Sequence, residues 1–492
     1  MNEPRTPRLD AKTASVWDLD GTLLSTDVFG ESLTRLLLGR PWMIPQVLVW
    51  LAAGRSSCKG HVAAATLDSW TRWPVRPEAE RLIAEARRAG NPVVLATAAH
   101  ESVAARISAD LGLFDAVLAS HAGVNLKGAR KLQAVTDWVR ANGCNGFSYA
   151  GDATADIPLW QAADRVIVVE PTAGLERRVR ELGKPVEVIG ERRSIPRSLL
   201  RSLRPHQWVK NLLVFLPMIL AHKFDAATIT AVIWAFVAFS ACASTVYLVN
   251  DLADLPADRE HPKKRHRPLA SGRLPITWAV AAGAGLLLGA AMISAIVLAP
   301  TFGLILVAYM ATNLAYSTWL KRKPILDVLM LAGMYAVRVE AGGIAAGVPL
   351  SMWILAFSLF FFTSLAFAKR CAELRRHASD GGHRPAGRGY LVEDLPILEG
   401  FGAASGYVSV LVLALYMNSP EMHTLYGESR LLWLICPLVL YWITRVWLLV
   451  HRGHLDEDPV VFAIRDRVSL CIAGVCFCLV IIAGLVRGGV AA

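Results

Sequence analysis

Uninterrupted apolar runs are missing from the early part of this 492-residue chain, and charged residues are scarce outside short loops in the remainder. The first absence excludes a spanning helix before about residue 200, and the second excludes a soluble domain after it. Charged residues make up 18% of the chain and hydrophobic ones 54%. One hydrophobic core cannot serve a chain of this length, so two or more domains are expected. Cysteine at metal-site spacing is lacking too. Cys58, Cys144, Cys242, Cys371, Cys436, Cys471, Cys476 and Cys478 follow no such pattern, and several lie inside apolar runs, where a thiol acts as a small hydrophobe. Neither zinc nor a disulfide framework is expected. Met1 to Lys12 is polar and lacks the apolar core of a signal peptide, which predicts a cytosolic N-terminal domain. No nucleic-acid-binding module accompanies the net charge of +11. The basic residues sit in loops between apolar runs, as the positive-inside bias dictates, so nucleic acid is not an expected partner.

What is present divides into three stretches. Residues 1–191 alternate strand-like runs (Ser15–Trp17, Pro92–Ala96, Ala116–Leu118, Phe147–Ala150 and Val166–Val169) with helical ones. That pattern predicts an α/β, Rossmann-like domain with a mainly parallel sheet. A mostly helical insertion fills residues 27–90. Within it Leu33–Ala53 is apolar but interrupted by Arg35, Arg40, Pro41 and Pro45, which suits a cap or interfacial helix better than a spanning one. Residues 192–210 form a basic linker. Residues 211–492 hold apolar spans near 211–222, 228–249, 277–298, 302–319, 325–347, 352–368, 402–418, 431–450 and 468–486. They predict an all-α membrane domain of about nine helices at roughly 20 residues per crossing. The first span is the weakest, because Pro217 lies near its middle. The loops after spans two, four, six and eight carry 18 Lys and Arg, against three (Lys223, Arg430, Arg487) on the other side. This asymmetry predicts an inner-membrane protein with those loops cytosolic.

Asp18-Leu19-Asp20-Gly21-Thr22 closes the first strand. A carboxylate there can attack phosphorus, a second two residues on can protonate the leaving oxygen, and Gly21 allows the turn that brings both to one substrate. Thr97 closes Val93–Ala96, where a hydroxyl can bind a phosphoryl oxygen. Lys131, with Lys127 as the alternative, can offset the negative charge. Gly151-Asp152-Ala153-Thr154-Ala155-Asp156 closes another strand and offers carboxylates to Mg²⁺, a hard cation that prefers oxygen. These four motifs in order resemble the haloacid dehalogenase superfamily. The resemblance implies Asp18 as nucleophile, Asp20 as acid/base, magnesium held by Asp18, the Asp20 carbonyl and Asp152, and Asp156 in support. It also implies a helical cap between the first two motifs and small phosphorylated substrates.

The loop after the second span places Asn250, Asp251, Asp254 and Asp258 at i, i+1, i+4 and i+8, largely on one face if the helix continues. Carboxylates so placed repel unless divalent cations neutralise them, and Mg²⁺ bridging to substrate phosphates does so. The pattern resembles the UbiA superfamily of intramembrane prenyltransferases, over about residues 200–490. The resemblance implies a donor diphosphate bound through magnesium by this motif, with Asp251 and Asp254 central to catalysis. The fusion itself looks like a known bacterial arrangement. The second aspartate-rich motif of aromatic prenyltransferases is reduced here to Tyr316 through Asp327, with Asp327 its sole aspartate. Asn250–Gly272, Arg204 through Lys210-Asn211 and Lys369-Arg370-x-Ala-Glu373 instead resemble the decaprenyl-phosphate phosphoribosyltransferase branch.

That branch implies phosphoribosyl pyrophosphate as donor, a polyprenyl phosphate as acceptor and polyprenyl-phosphoryl ribose as product once the first domain removes the 5-phosphate. A prenyl diphosphate with a small aromatic acceptor is the alternative. Lys264, Arg265, Arg267 and Lys321 are candidates for the donor's second phosphate, with Lys210, Asn211, Tyr316, Lys369 and Arg388 as further substrate contacts. Arg338 and Arg445 lie inside spans, where ionisable groups are expensive. Each could meet the acceptor phosphate or pair with a buried carboxylate such as Glu340 or Asp327. Arg388-Gly389-Tyr390 with Glu393-Asp394 makes a possible lid, and Asp466-Arg467 borders the site. The sequence leaves room for a homo-oligomer.

Overall fold

The computed structural model describes residues 12–490 apart from 71–72, 122–123, 192–193, 380–387, 421, 423–425, 427–429 and 456–457. The chain forms two compact units. One runs to Ser202 and takes in Leu248–Ala281; the other comprises Leu203–Tyr247 and Ala282–Ala492.

In the first unit six parallel strands line up as β3-β2-β1-β4-β5-β6. They are β1 (Thr13–Trp17), β2 (Val93–His100), β3 (Ala116–Ser120), β4 (Gly146–Gly151), β5 (Arg165–Val169) and β6 (Val186–Ile189). Alternate residues serve the two faces. Trp17, Leu95, Ala150 and Ile167 join one buried cluster, and Val16, Val94, Tyr149 and Val166 the other. Burial on both faces is why these strands read as unbroken apolar runs. Trp17 lies opposite Leu95 on one side and Ala150 on the other. The carboxyl ends of β1, β2 and β4 therefore share one edge at the point where strand order reverses, the usual place for a ligand in such sheets. The five strand-like runs all form strands. β6 lay outside the expectation because Val-Glu-Val-Ile is short and carries a charge; as an edge strand it pairs Glu187 with Arg165 at 2.5 Å.

The insertion is helical: α1 (Val28–Gly39), α2 (Ile44–Ala52), α3 (Arg55–Thr66) and a fourth helix, Pro77–Arg88. Asp27 caps α1 by accepting from the Gly30 amide at 3.0 Å. Pro41 and Pro45 split the apolar stretch into α1 and α2, so it does not form one helix. Val47 of α2 packs with Leu36, Cys58 and Val62, while Trp42, Leu48 and Val49 stay exposed.

Among the described residues, the membrane part contains seven helices long and apolar enough to cross a bilayer. In chain order the helical elements used below are α4 (Ala226–Ala253), the short α5 (Leu255–Glu260), α6 (Ile276–Ile296), α7 (Pro300–Thr318), α8 (Leu326–Ala346), α9 (Met352–Ser379), α10 (Leu395–Met417), α11 (Ile435–His451) and α12 (Arg467–Val490). The expectation of about nine spans is met differently at two places. Residues 205–215 form 3-10 turns that run into the brief helix Leu216–Leu220, too short to span. Helix α7 is regular over 19 residues but is not among the seven. The 3-10 stretch lies tight against α8: a Cβ on Gly342 would fall 2.1 Å from the Val214 carbonyl oxygen.

Candidate active sites

The carboxyl edge of the sheet gathers the first set of candidate residues. Asp18 follows β1 directly, and its Oδ1 accepts from the Leu19 amide at 2.8 Å and lies 3.0 Å from Lys131 Nζ. Lys131 comes from the helix Ala129–Ala141 and is also 3.5 Å from Asp156. Asp156 is held in turn by the Tyr149 hydroxyl at 2.8 Å and the Ala153 amide at 3.2 Å. One carboxylate oxygen from each of Asp18, Asp152 and Asp156 lies within 4.8 Å of the others. Gly21, at φ +74°, sits so close to Asp152 that a Cβ would fall 2.2 Å from its Oδ2. Only glycine fits that cradle, and three converging hard oxygens fit a magnesium ion. Thr97 is fully buried, with its hydroxyl accepting from the Ala99 amide at 3.0 Å. Lys127 and Lys131 both line the cavity in front of Asp18, which measures about 320 Å³.

Burial governs the charge states here. It raises the Asp20 carboxyl well above the usual range, helped by nearby Asp27 and opposed by the Val28 amide, which donates to Asp20 at 2.8 Å. A carboxyl shifted in this direction holds its proton to higher pH, which suits it to give one to a leaving oxygen. Burial also raises Asp18, with the charge of Asp156 adding to it and Lys131 opposing. For Lys131 burial works against the cation, but Asp18 and Asp156 outweigh it and raise its pKa.

The second acidic set also belongs to the first unit. Helix α4 ends at Ala253, and Asp254 precedes α5 with Pro256 in its first turn. The interruption is confined to Asp254: its amide still donates to the Asn250 carbonyl at 2.9 Å and the Asp258 amide to the Asp254 carbonyl at 2.8 Å, so Asp251 and Asp258 stay on one side of the chain. Arg267 Nη1 reaches both Asp251 Oδ1 at 3.1 Å and Asp258 Oδ2 at 2.6 Å. Asp251 and Asp258 are buried beneath it, and Lys264 stands 3.9 Å from Asp258. Arg267, expected at a substrate phosphate, is here the counter-charge of the two aspartates. Arg265 is exposed and touches His266, while Asn250 and Asp254 are half-buried.

In the second unit the candidate cations meet a carboxylate that sequence reasoning missed. Lys210 and Lys369 both donate to Asp458 Oδ2, at 2.8 and 2.9 Å, and the Tyr335 hydroxyl donates to Oδ1 at 3.1 Å. Burial opposes the charge on Asp458, but the two lysines prevail and hold its pKa well below the usual range. Arg338 pairs with neither Glu340 nor Asp327. It donates to Asn211 Oδ1 and the Tyr309 hydroxyl, both at 2.9 Å, and to the Met334 carbonyl. Its guanidinium lies 5.3 Å from the Tyr335 ring, and Lys210 Nζ lies 5.9 Å from the same ring. Asp327 is fully buried and goes instead to Arg370 at 2.8 Å and the Tyr390 hydroxyl at 2.5 Å. Arg388 donates to the Tyr316 hydroxyl at 3.1 Å, and Arg445 pairs with Asp466 at 2.7 Å. Lys321 sits on the turn Leu320–Arg322. The one advance signal for Asp458 was an acidic triplet, Asp456-Glu457-Asp458, in a loop of the basic side.

A parallel sheet with an aspartate pair at its edge, joined to a bundle of membrane-length helices with an acidic motif, defines a two-part integral membrane enzyme. The chain belongs to the UbiA prenyltransferase family, whose model matches residues 211–485. Residues 15–161 match the haloacid dehalogenase-like hydrolases. The protein y4nM of Sinorhizobium fredii, uncharacterised by its own description, is 37% identical over 466 residues, covering 94% of this chain and 89% of that one. Nodulation protein NoeC of Azorhizobium caulinodans is 34% identical over 280 residues, 56% of this chain and 90% of its own. Decaprenyl-phosphate phosphoribosyltransferase of Mycolicibacterium smegmatis is 38% identical over 191 residues, 38% of this chain and 60% of its own.

Proposed function

We propose that the membrane half transfers the 5-phosphoribosyl group of phosphoribosyl pyrophosphate to a polyprenyl phosphate, and that the N-terminal half then removes the 5-phosphate to leave polyprenyl-phosphoryl ribose. The observation that carries this reading is the gathering of Lys210, Lys369 and Arg338 around Tyr335 with Asp458 as the carboxylate they share. Buried charge of one sign is costly unless a partner neutralises it, so such a group calls for an anionic ligand. Both candidate donors carry a diphosphate, but only the phosphoribosyl reading brings further phosphates, one on the donor and one on the acceptor, for these cations to meet. The burial of Asp327 against Arg370 and Tyr390 points the same way, because it withdraws the aspartate that a second magnesium motif needs.

In the transfer, the bond from the anomeric carbon to diphosphate breaks and one from that carbon to an acceptor phosphate oxygen forms. Asp251, Asp254 and Asp258, with Asn250, would hold the magnesium that offsets the charge of the leaving diphosphate, and Arg267 would exchange its aspartate partners for phosphate oxygens. In the second step Asp18 attacks phosphorus through Oδ2, since both of its polar contacts fall on Oδ1. Asp20 protonates the departing 5-oxygen and then takes a proton from the water that releases phosphate. Magnesium, when bound by Asp18, Asp152, Asp156 and the acidic loop, offsets phosphate charge at both sites. Loop basicity, 18 cations against three, supports an inner-membrane setting with both sites cytosolic.

The test is direct. Purified enzyme given labelled phosphoribosyl pyrophosphate and decaprenyl phosphate should yield a labelled lipid, and Asp18→Asn should accumulate its 5-phosphorylated form. Transfer from a prenyl diphosphate to an aromatic acceptor, with phosphoribosyl pyrophosphate inert, would establish the alternative.

A further inference from the structure

The first unit brings the loop after the acidic motif against the Asp18 cavity. Arg259 acts as a strut. Its Nη1 and Nη2 donate to the two carboxylate oxygens of Glu31 in the insertion, each at 2.9 Å, while its Nε reaches the Ala270 carbonyl at 3.4 Å. Glu31 is almost wholly buried, so the pair is shielded from solvent and well suited to fix position. Two turns farther along, Gly272 adopts φ +75°, and a Cβ there would fall 2.0 Å from the Ser25 carbonyl oxygen. Ser25 itself lines the cavity, so a glycine is what allows the loop to close on it. From this seat Leu269, Leu274, Pro275 and Ile276 line the same cavity as Asp18, Asp20, Asp152 and Asp156.

We propose that residues 259–276 are the specificity wall of the phosphatase cavity, selecting a phosphate monoester whose sugar continues into an apolar chain. The inference rests on the phosphatase reading and deepens it. A site for free sugar phosphates or nucleotides needs polar partners for hydroxyls and bases at the end away from the phosphate. Ser25, Thr26, Asp27 and Lys127 give this cavity polar lining, but the wall supplied by Leu269, Leu274, Pro275 and Ile276 is aliphatic; it rewards removal of an alkyl chain from water and offers a hydroxyl no side-chain partner. Arg259 is a positioning residue in this scheme, acting through the loop it ties to Glu31.

The test compares two probes that share sugar and phosphate, methyl riboside 5-phosphate and octyl riboside 5-phosphate, on the full-length enzyme in detergent. The wild type should show kcat/KM at least tenfold higher for the octyl probe. Arg259→Gln and Leu274→Ser should each bring that ratio close to one, and Arg259→Lys should restore much of it. Leu274→Ser leaves the strut intact and decides the matter should Arg259→Gln not fold. A wild-type ratio near one, or a ratio that survives both substitutions, overturns the proposal. Failure of the phosphatase reading looks different: neither probe is hydrolysed, or hydrolysis persists in Asp18→Asn.

Discussion

Asp458 is the residue on which the second unit's charge balance turns. It is the shared partner of Lys210 and Lys369, 248 and 89 residues away in sequence, and no local pattern announces either pairing. The Asp18 site was legible because its chemistry is written contiguously: Asp-x-Asp-Gly-Thr and Gly-Asp-x-x-x-Asp each sit at one strand end. The lysines were legible as cations in basic loops, but their shared partner was not, since an acidic residue beside a basic loop usually pairs with its neighbours. Removing one member of a buried pair leaves the other charge uncompensated, at a cost of about 3–5 kcal/mol. Asp458→Asn should therefore lower the thermal midpoint of the detergent-solubilised protein markedly. If the site takes phosphates, added inorganic pyrophosphate should recover part of that loss in the variant and raise the wild type less. Thermal unfolding at increasing pyrophosphate checks both.

At the scale of elements, period and punctuation gave most of the fold, and the departures have identifiable causes. Pro41 and Pro45 divide an apolar stretch into α1 and α2, and the chain stops being helical at Asp254, before Pro256. Across the latter interruption the Asp258 amide still donates to the Asp254 carbonyl, and Asp251 and Asp258, seven residues apart, meet one guanidinium whose identity the spacing of the acidic residues could not convey. Close packing is likewise invisible in sequence, because two glycines of one helix look alike. In α8, Gly342 meets the Val214 carbonyl, whereas a Cβ on Gly333 would meet nothing within 4 Å. Gly342→Ala should cost about 1–3 kcal/mol through overpacking. Gly333→Ala should be neutral or stabilising by up to about 1 kcal/mol, as glycine's helix propensity is poor. Denaturation of the two variants side by side measures the difference. The stretch that makes this contact, residues 205–215, is in 3-10 turns, so its apolar content does not give it a spanning helix.

For the whole molecule, the consequence of joining two enzymes in one chain is kinetic. On the proposed function the lipid product would stay in the membrane that holds the transferase, and a phosphatase in the same chain would meet it at an effective concentration set by the link, on the order of millimolar for short flexible connections. Separate phosphatases would have to find the same lipid by lateral diffusion. The relative that matches 94% of this chain carries both parts as well, so the fusion is not peculiar to one protein. Two inactive variants make the argument measurable. On the proposed function Asp18→Asn should retain transfer and lack hydrolysis, and Asp251→Asn should retain hydrolysis and lack transfer. Reconstituted together in liposomes, they should form polyprenyl-phosphoryl ribose only after the 5-phosphorylated lipid has accumulated, at a rate that rises with protein density. The wild type should form it with little of that intermediate and at a rate per enzyme independent of density. Equal time courses for the mixture and the wild type would mean that the covalent link contributes nothing to the handover, and that release of the lipid between the two steps is the normal course.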